Sequence, residues 1–207
     1  MSDPTPAAGL IDQVIERRVA DDQQRYTAEV AQLIDATYTV IARTGSFDPP
    51  IRAILAEAGL SNPAFYRHFR SKDELMLALL DEGRRQLVDY LAHRTADCDD
   101  DNTRTAEWVR GVLAQSTDPD AAQRTRPFVT QVQRLHERLP AQQESSEAQL
   151  IAQLADILGP DRGRWAAAVY VLVFGTLERH LRTGRPPTEA EVEEVVAFVL
   201  AGVGADS

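Results

Sequence analysis

The chain of 207 residues is 43% apolar and 26% charged, the balance of a globular protein with core material for one domain or two small ones. This composition excludes a disordered tail and a low-complexity fibre. Lys and Arg number 22 against 32 Asp and Glu, a net charge of −10 with pI near 4.9, which taken whole argues against a polyanionic partner. The single cysteine, Cys98, supports neither an intrachain disulfide nor a cysteine-based zinc site. The longest uncharged apolar stretch, residues 165–177, has 13 residues, short of the ~20 that span a bilayer. The start, Met1-Ser2-Asp3-Pro4, lacks the basic and apolar segments of a secretory signal. The expectation is a soluble cytoplasmic protein.

In chain order, Val30, Leu33, Ile34, Thr37, Val40 and Ile41 recur at three- and four-residue steps and Gly45 follows as a stop, predicting a first helix. Asp48-Pro49-Pro50 offers a cap acceptor and then proline, where a helix's first turn needs no amide. A short second helix then carries Ile51, Ile54, Leu55 and Ala58 and stops at Gly59. Ser61 is placed to cap a third, with Pro63 in its first turn and Phe65, Tyr66 and Phe69 along it. Ser71 and Glu74 have the spacing of a capping box opening a fourth helix, carried by Leu75, Leu79, Leu80, Leu87 and Leu91 to Arg94.

A polar break over residues 95–105 separates this half from the rest. Beyond it, residues 107–115, 127–139, 147–158 and 165–181 read as helices, the last apolar nearly all round and so buried on several sides. Gly184, Pro186 and Pro187 stop it, and Thr188 with Glu191 repeats the capping-box spacing before a final helix. Internal repeats and hairpin-bracketed alternation do not occur. The prediction is an all-α fold of about nine helices.

The distribution of charge matters more than its sum. Residues 43–72 hold Arg43, Arg52, Arg67, Arg70 and Lys72 against Asp48 and Glu57, a net of +3, so the remainder carries −13. Such an island fits local anion contact, and on charge alone it also fits ordinary surface. The order helix, tight turn at Gly59-Leu60-Ser61, second short helix is that of a helix-turn-helix. In that unit the second helix enters the major groove and its N-terminal side chains reach base edges. Ser61 and Asn62 are short hydrogen-bonding residues at that position, Arg67 lies further along, the Tyr66 phenol can reach a phosphate, and Lys72 opens the next helix.

These residues resemble a known family. Ala56-Glu57-Ala58-Gly59-Leu60-Ser61, Phe65-Tyr66-Arg67-His68-Phe69 and Ser71-Lys72-Asp73-Glu74-Leu75 look like the N-terminal domain of TetR-type transcriptional regulators, over residues 28–80. The resemblance implies a homodimer of all-helical subunits with an N-terminal domain that binds double-stranded operator DNA. A C-terminal domain would hold a small, largely apolar effector and the dimer contact. Position by position, Ser61, Asn62 and Ala64 fall in the recognition helix, and Tyr66, His68 and Lys72 fall where the family touches or organises phosphates. The chain departs from the pattern at Pro50, where threonine is common, at Pro63 and Ala64 in place of glycine and threonine, and at Leu55, where alanine is frequent. Arg52 and Arg43 are available to compensate, and Arg17, Arg18 and Arg25 of a long N-terminal extension to reach the minor groove. The implied organisation is an extension over 1–24, a DNA-binding domain over 25–72, and an effector and dimerisation domain over 73–207 connected through the fourth helix at 73–94.

Other patterns point less far. Phe65 and Phe69 read as core; His68 fits packing, capping or backbone contact. Asp97, Asp99, Asp100 and Asp101 resemble the start of a calcium loop, but Asn102 stands where glycine is required and Trp108 at the twelfth position, so a solvated loop with an exposed Cys98 is expected. Phosphate-loop, GxSxG and HExxH motifs are absent and the four histidines show no paired metal-ligand spacing, so neither an enzyme nor a cofactor is expected. Trp108, Phe128, Gln131, Tyr170 and Phe174 are candidate effector residues that also fit ordinary bundle core. Arg124, Arg126, Arg134 and Arg138 fit either attraction of an anionic effector or a solvent face. Val192, Val195, Val196 and Val199, with Phe198 and Leu200, form a stripe expected to meet a second subunit. The competing reading is a helical small-molecule-binding or scaffold protein whose helix-turn-helix is vestigial.

Overall fold

A computed structural model describes residues 9–46, 48–129 and 144–204. The described residues form nine α-helices and one 3-10 turn, with no strand among them. The helices are α1 Leu10–Thr44, α2 Ile51–Ala58, α3 Asn62–His68, α4 Lys72–Thr95, α5 Asp101–Thr117, α6 Pro119–Val129, α7 Glu144–Leu158, α8 Ala166–Thr183 and α9 Glu189–Gly204, with the 3-10 turn Gly163–Trp165 between α7 and α8.

Local chemistry explains most of the boundaries. Ser61 Oγ accepts from the Ala64 amide at 3.4 Å and Ser71 Oγ from the Glu74 amide at 3.1 Å. At α9 the capping box closes in both directions, Glu191 N to Thr188 Oγ1 at 3.3 Å and Thr188 N to Glu191 Oε2 at 2.8 Å. Gly59 ends α2 at φ 66°, a left-handed conformation that a residue with a Cβ adopts at a cost. Asp48 does not cap α2 as expected: Pro50 occupies the cap position without a side-chain bond, and Asp48 pairs with Lys72 instead.

Two boundaries move for a shared reason. α5 begins at Asp101, six residues before the predicted 107, because Asp100 Oδ1 accepts from the Asn102 and Thr103 amides at 2.9 Å. Those bonds hold the Asp100 carboxyl below its usual range, the Thr103 amide contributing most. α6 runs from Pro119 to Val129, with Asp118 Oδ1 taking the Ala121 amide at 2.7 Å; the helix predicted over 127–139 falls largely outside the described residues. Cys98 is half-buried rather than exposed.

α1 runs 35 residues as one helix, about 50 Å at 1.5 Å per residue. The expected N-terminal extension is therefore helical from Leu10, and it leaves Ile11, Val14, Ile15 and Val19 exposed.

The buried side chains fall into two clusters. The first joins Leu33, Ala36 and Ile41 of α1, Ile54 and Leu55 of α2, Phe65 of α3, and Leu75, Met76, Leu77 and Leu79 of α4, with Phe69. The second centres on Trp108, Val109, Val112 and Leu113 of α5 and gathers Leu91 of α4, Leu150 and Leu154 of α7, Val173 and Leu177 of α8, and Val196, Val199 and Val203 of α9. α4 supplies side chains to both. Tyr38 Oη donates to the Leu79 carbonyl at 2.9 Å, fastening α1 to α4, and Gln153 links Trp108 Nε1 at 3.2 Å to the Val88 carbonyl at 2.9 Å. Arg110 reaches from α5 to both carboxylate oxygens of Glu193 on α9, at 2.7 and 2.6 Å.

α4 and α5 approach closely because Gly111 has no side chain. A Cβ there would lie 2.6 Å from Cδ2 of the fully buried Leu91 and 3.0 Å from Arg94 Cδ. Gly111→Val should therefore destabilise the chain by about 1–3 kcal/mol through overpacking, read as a lower urea midpoint; an unchanged midpoint would show that Leu91 has room to move.

Candidate nucleic-acid interface

α3 has only seven residues, and its inner face determines its outer one. Phe65 is fully buried, Ala64 and Phe69 nearly so, and Phe65 packs edge-on to Tyr66 with ring centroids 5.2 Å apart. The helix turns Asn62, Pro63, Tyr66 and Arg67 outward. Tyr66 is 56% exposed, unusual for so large a ring. Ser61 is exposed beside them; its oxygen already accepts the Ala64 amide, leaving its O–H for an external acceptor.

Of the residues singled out for DNA, Arg52, Ser61, Asn62, Tyr66 and Arg67 are exposed and Lys72 is half-buried. Ala64 and the His68 side chain are buried instead. Ala64 is 4% exposed and packs α3 on its neighbours. The His68 side chain is 1% exposed, with Nε2 2.6 Å from Glu29 Oε2 and the Tyr26 ring edge-on at 4.4 Å. Its Nδ1 is buried with no hydrogen-bond partner among the described residues. A ring enclosed in this way fastens α3 to α1 and cannot touch a phosphate without leaving its site.

The helical extension alters the reading of Arg17, Arg18 and Arg25. They lie on an α-helix, so their side chains and not the helix itself, about 10–12 Å across, would enter a minor groove about 6 Å wide. Asp12, Glu16, Asp21 and Asp22 alternate with them along the same helix.

Glu29 is the residue that sequence reasoning missed. Its Oε2 accepts from Arg67 Nη2 at 2.8 Å and meets His68 at 2.6 Å, so one carboxylate holds two consecutive side chains of α3. A usable signal was present: Tyr26, Glu29 and Leu33 share one stripe of α1 at helical spacing, and a carboxylate on a core-facing stripe requires a partner. Two more cations of the basic island are also paired, Arg43 with Glu57 at 2.8 Å and Lys72 with Asp48. Arg52 and Arg70 have no ion-pair partner among the described residues.

In the second core cluster, Tyr170 and Phe174 stack at 4.3 Å and Trp108 lies 6.3 Å from Phe174. Burial pushes the Tyr170 phenol up to about 12, keeping it neutral through the physiological range. Gln131 lies outside the described residues, as do Arg134 and Arg138, and the side chains of Phe128 and Arg124 are likewise not described. Arg126 is exposed. Of the valines expected at a subunit contact, Val196 and Val199 are 4% and 2% exposed in the chain's own core, and Val192 and Val195 are half-buried against it. The large apolar side chains that α8 and α9 leave exposed are Val171 at 68%, Leu172 at 38% and Phe198 at 67%. Among the described residues no group of three His, Cys, Asp or Glu side chains could hold a metal ion, and no helix is long and apolar enough to cross a membrane.

Residues 33–79 match the family model of bacterial regulatory proteins of the tetR family. The described residues have an all-α fold similar to that of solved structures. A TetR transcription regulator from Haloarcula marismortui superposes with a TM-score of 0.64 at 18% identity, over 86% of this chain and 98% of that one. RolR in complex with the ligand resorcinol gives 0.65 at 20% identity, over 88% and 90%. The regulator FadR from Bacillus subtilis in complex with stearoyl-CoA gives 0.58 at 18% identity, over 83% and 98%.

The hydrogen bond to His68, followed by that to Arg67, holds the Glu29 carboxyl below its ordinary value of 4.5. A carboxyl depressed in the folded state contributes stability above its unfolded value, and that contribution is lost as pH falls through the folded one. The stability difference between wild type and Glu29→Gln should accordingly be largest near pH 6 and shrink below about 4.5, measured by urea unfolding across that range. A difference independent of pH would contradict this role for the Glu29 charge.

Proposed function

We propose that the protein is a DNA-binding transcriptional regulator that reads duplex DNA with α3 and responds to a small molecule held in its C-terminal bundle. The observation that carries this reading is the division of α3 into a buried face, Ala64 and Phe65, and an exposed face, Asn62, Tyr66 and Arg67. Base contacts from Ser61 and Asn62 would set sequence preference, while Tyr66, Arg52, Arg67 and Lys72 would contact phosphates.

We further propose a homodimer acting as a repressor on a palindromic operator. Two copies related by a two-fold axis present their recognition helices one DNA turn apart, ~34–36 Å. Val171, Leu172 and Phe198 support a subunit contact formed by α8 and α9, since large apolar side chains exposed on consecutive helices mark interaction surfaces. RolR and FadR were solved with resorcinol and with stearoyl-CoA, which supports a largely apolar effector near Trp108, Tyr170 and Phe174. Such a ligand acts only through different affinities for the DNA-competent and incompetent arrangements, and α4, shared by both cores, is the natural lever.

Fluorescence anisotropy with operator fragments and with random duplex tests the division of labour. Tyr66→Phe should weaken binding to both DNAs alike, whereas Asn62→Ala should lose about 1–3 kcal/mol of discrimination at particular base pairs. Equal losses on both DNAs for both variants would refute it, and absence of salt-dependent binding by the wild type would favour the vestigial reading. Phe198→Glu should convert a dimer to a monomer in sedimentation velocity; a dimer that persists unchanged would place the contact elsewhere.

A further inference from the structure

Two cations assigned to phosphates are already held by carboxylates from other elements. Arg67 of α3 pairs with Glu29 of α1, and Lys72 of α4 pairs with Asp48 of the α1–α2 connection. The Arg67 side chain is 59% exposed while Glu29 is 17% exposed, so the arginine lies outermost and is free to change partner. Glu29 is not free to follow. The oxygen that binds Arg67 also meets buried His68 at 2.6 Å, and withdrawing it would leave both ring nitrogens of that histidine unpaired. Asp48, by contrast, is 77% exposed on its loop and holds Lys72 from the solvent side.

On the DNA-binding reading above, we propose that Glu29 and Asp48 compete with DNA phosphates for Arg67 and Lys72 and thereby weaken sequence-independent binding. The carboxylate occupies the place a phosphate would take, so each of these contacts requires one anion to be exchanged for another. The counterion release that drives phosphate binding is then partly cancelled by a carboxylate left unpaired. Base contacts from Asn62 and Ser61 are untouched by this competition, because neither residue pairs with the two acids. The arrangement is consistent with a net charge of −10, which also disfavours lingering on bulk DNA.

The test uses the full chain and a mixed-sequence duplex, titrated across ~50–200 mM salt. Asp48→Asn and Glu29→Gln should each tighten binding about eightfold at ~0.1 M salt and steepen the log–log salt dependence by about 0.9, the worth of one phosphate contact. In an Arg67→Ala background the gain from Glu29→Gln should vanish. Circular dichroism checks the fold of each variant, and Asp48→Asn, on an exposed loop, decides the matter if Glu29→Gln unfolds. Unchanged affinity and slope in the folded variants, with the wild type still binding DNA, would overturn the proposal alone. Failure of the wild type to bind any duplex at any salt would overturn the DNA-binding reading and the competition with it.

Discussion

A helix of seven residues has almost no stability of its own in water. α3 exists because Phe65 is fully buried among Leu33, Ile54 and Leu75, with Ala64 and Phe69 beside it. That packing fixes the helix in rotation as well as position, and a rotation of one residue, about 100°, would replace Tyr66 and Asn62 on the outside with Phe65. The exposed face of α3 is thus a consequence of which side chains fill the small core. The bond from Ser61 to the Ala64 amide starts the helix at the right residue, and Glu29 fastens its far end through Arg67 and His68.

The electrostatics follow from the same packing. Counted along the chain, residues 43–72 carry an excess of +3, but folding brings Glu29 from outside that segment onto Arg67 and turns Asp48 and Glu57 toward Lys72 and Arg43. The folded face is closer to neutral than the linear count suggests, with Arg52 and Arg70 left unpaired among the described residues. Exposed ion pairs of this kind are worth little to stability, so their larger effect falls on what the cations are free to bind.

What was legible in the sequence divides along the range of the interactions. The caps at Ser61, Ser71 and Thr188 and the left-handed turn at Gly59 act within three or four residues, and each could be read directly. Asp100 and Asp118 act over the same short range but were obscured, the first inside an acidic run that suggested solvated loop, the second before a proline. Contacts between distant residues were not legible: Glu29 lies 38 positions from Arg67, and nothing local pairs them. The valine stripe of α9 marks a middle case. Periodicity shows that Val192, Val195, Val196 and Val199 are covered, but not by what; α5, with Val109, Val112 and Leu113, covers them within the same chain.

The C-terminal cluster is built to hold together rather than to stand open, with Trp108 fully buried, Phe174 stacked on Tyr170, and Gln153 tying the indole to α4. A ligand entering there would have to part these rings, and α4 would transmit the change toward α3. The proposed function rests on α3 staying docked while its outer face meets DNA. Side-chain NMR during titration with duplex DNA tests that claim most directly. The account predicts that the Asn62 amide and Tyr66 ring signals shift with added DNA while the Phe65 ring signals hold their positions. Shifts confined to other helices, or a Phe65 ring that loses its core environment as DNA binds, would contradict it.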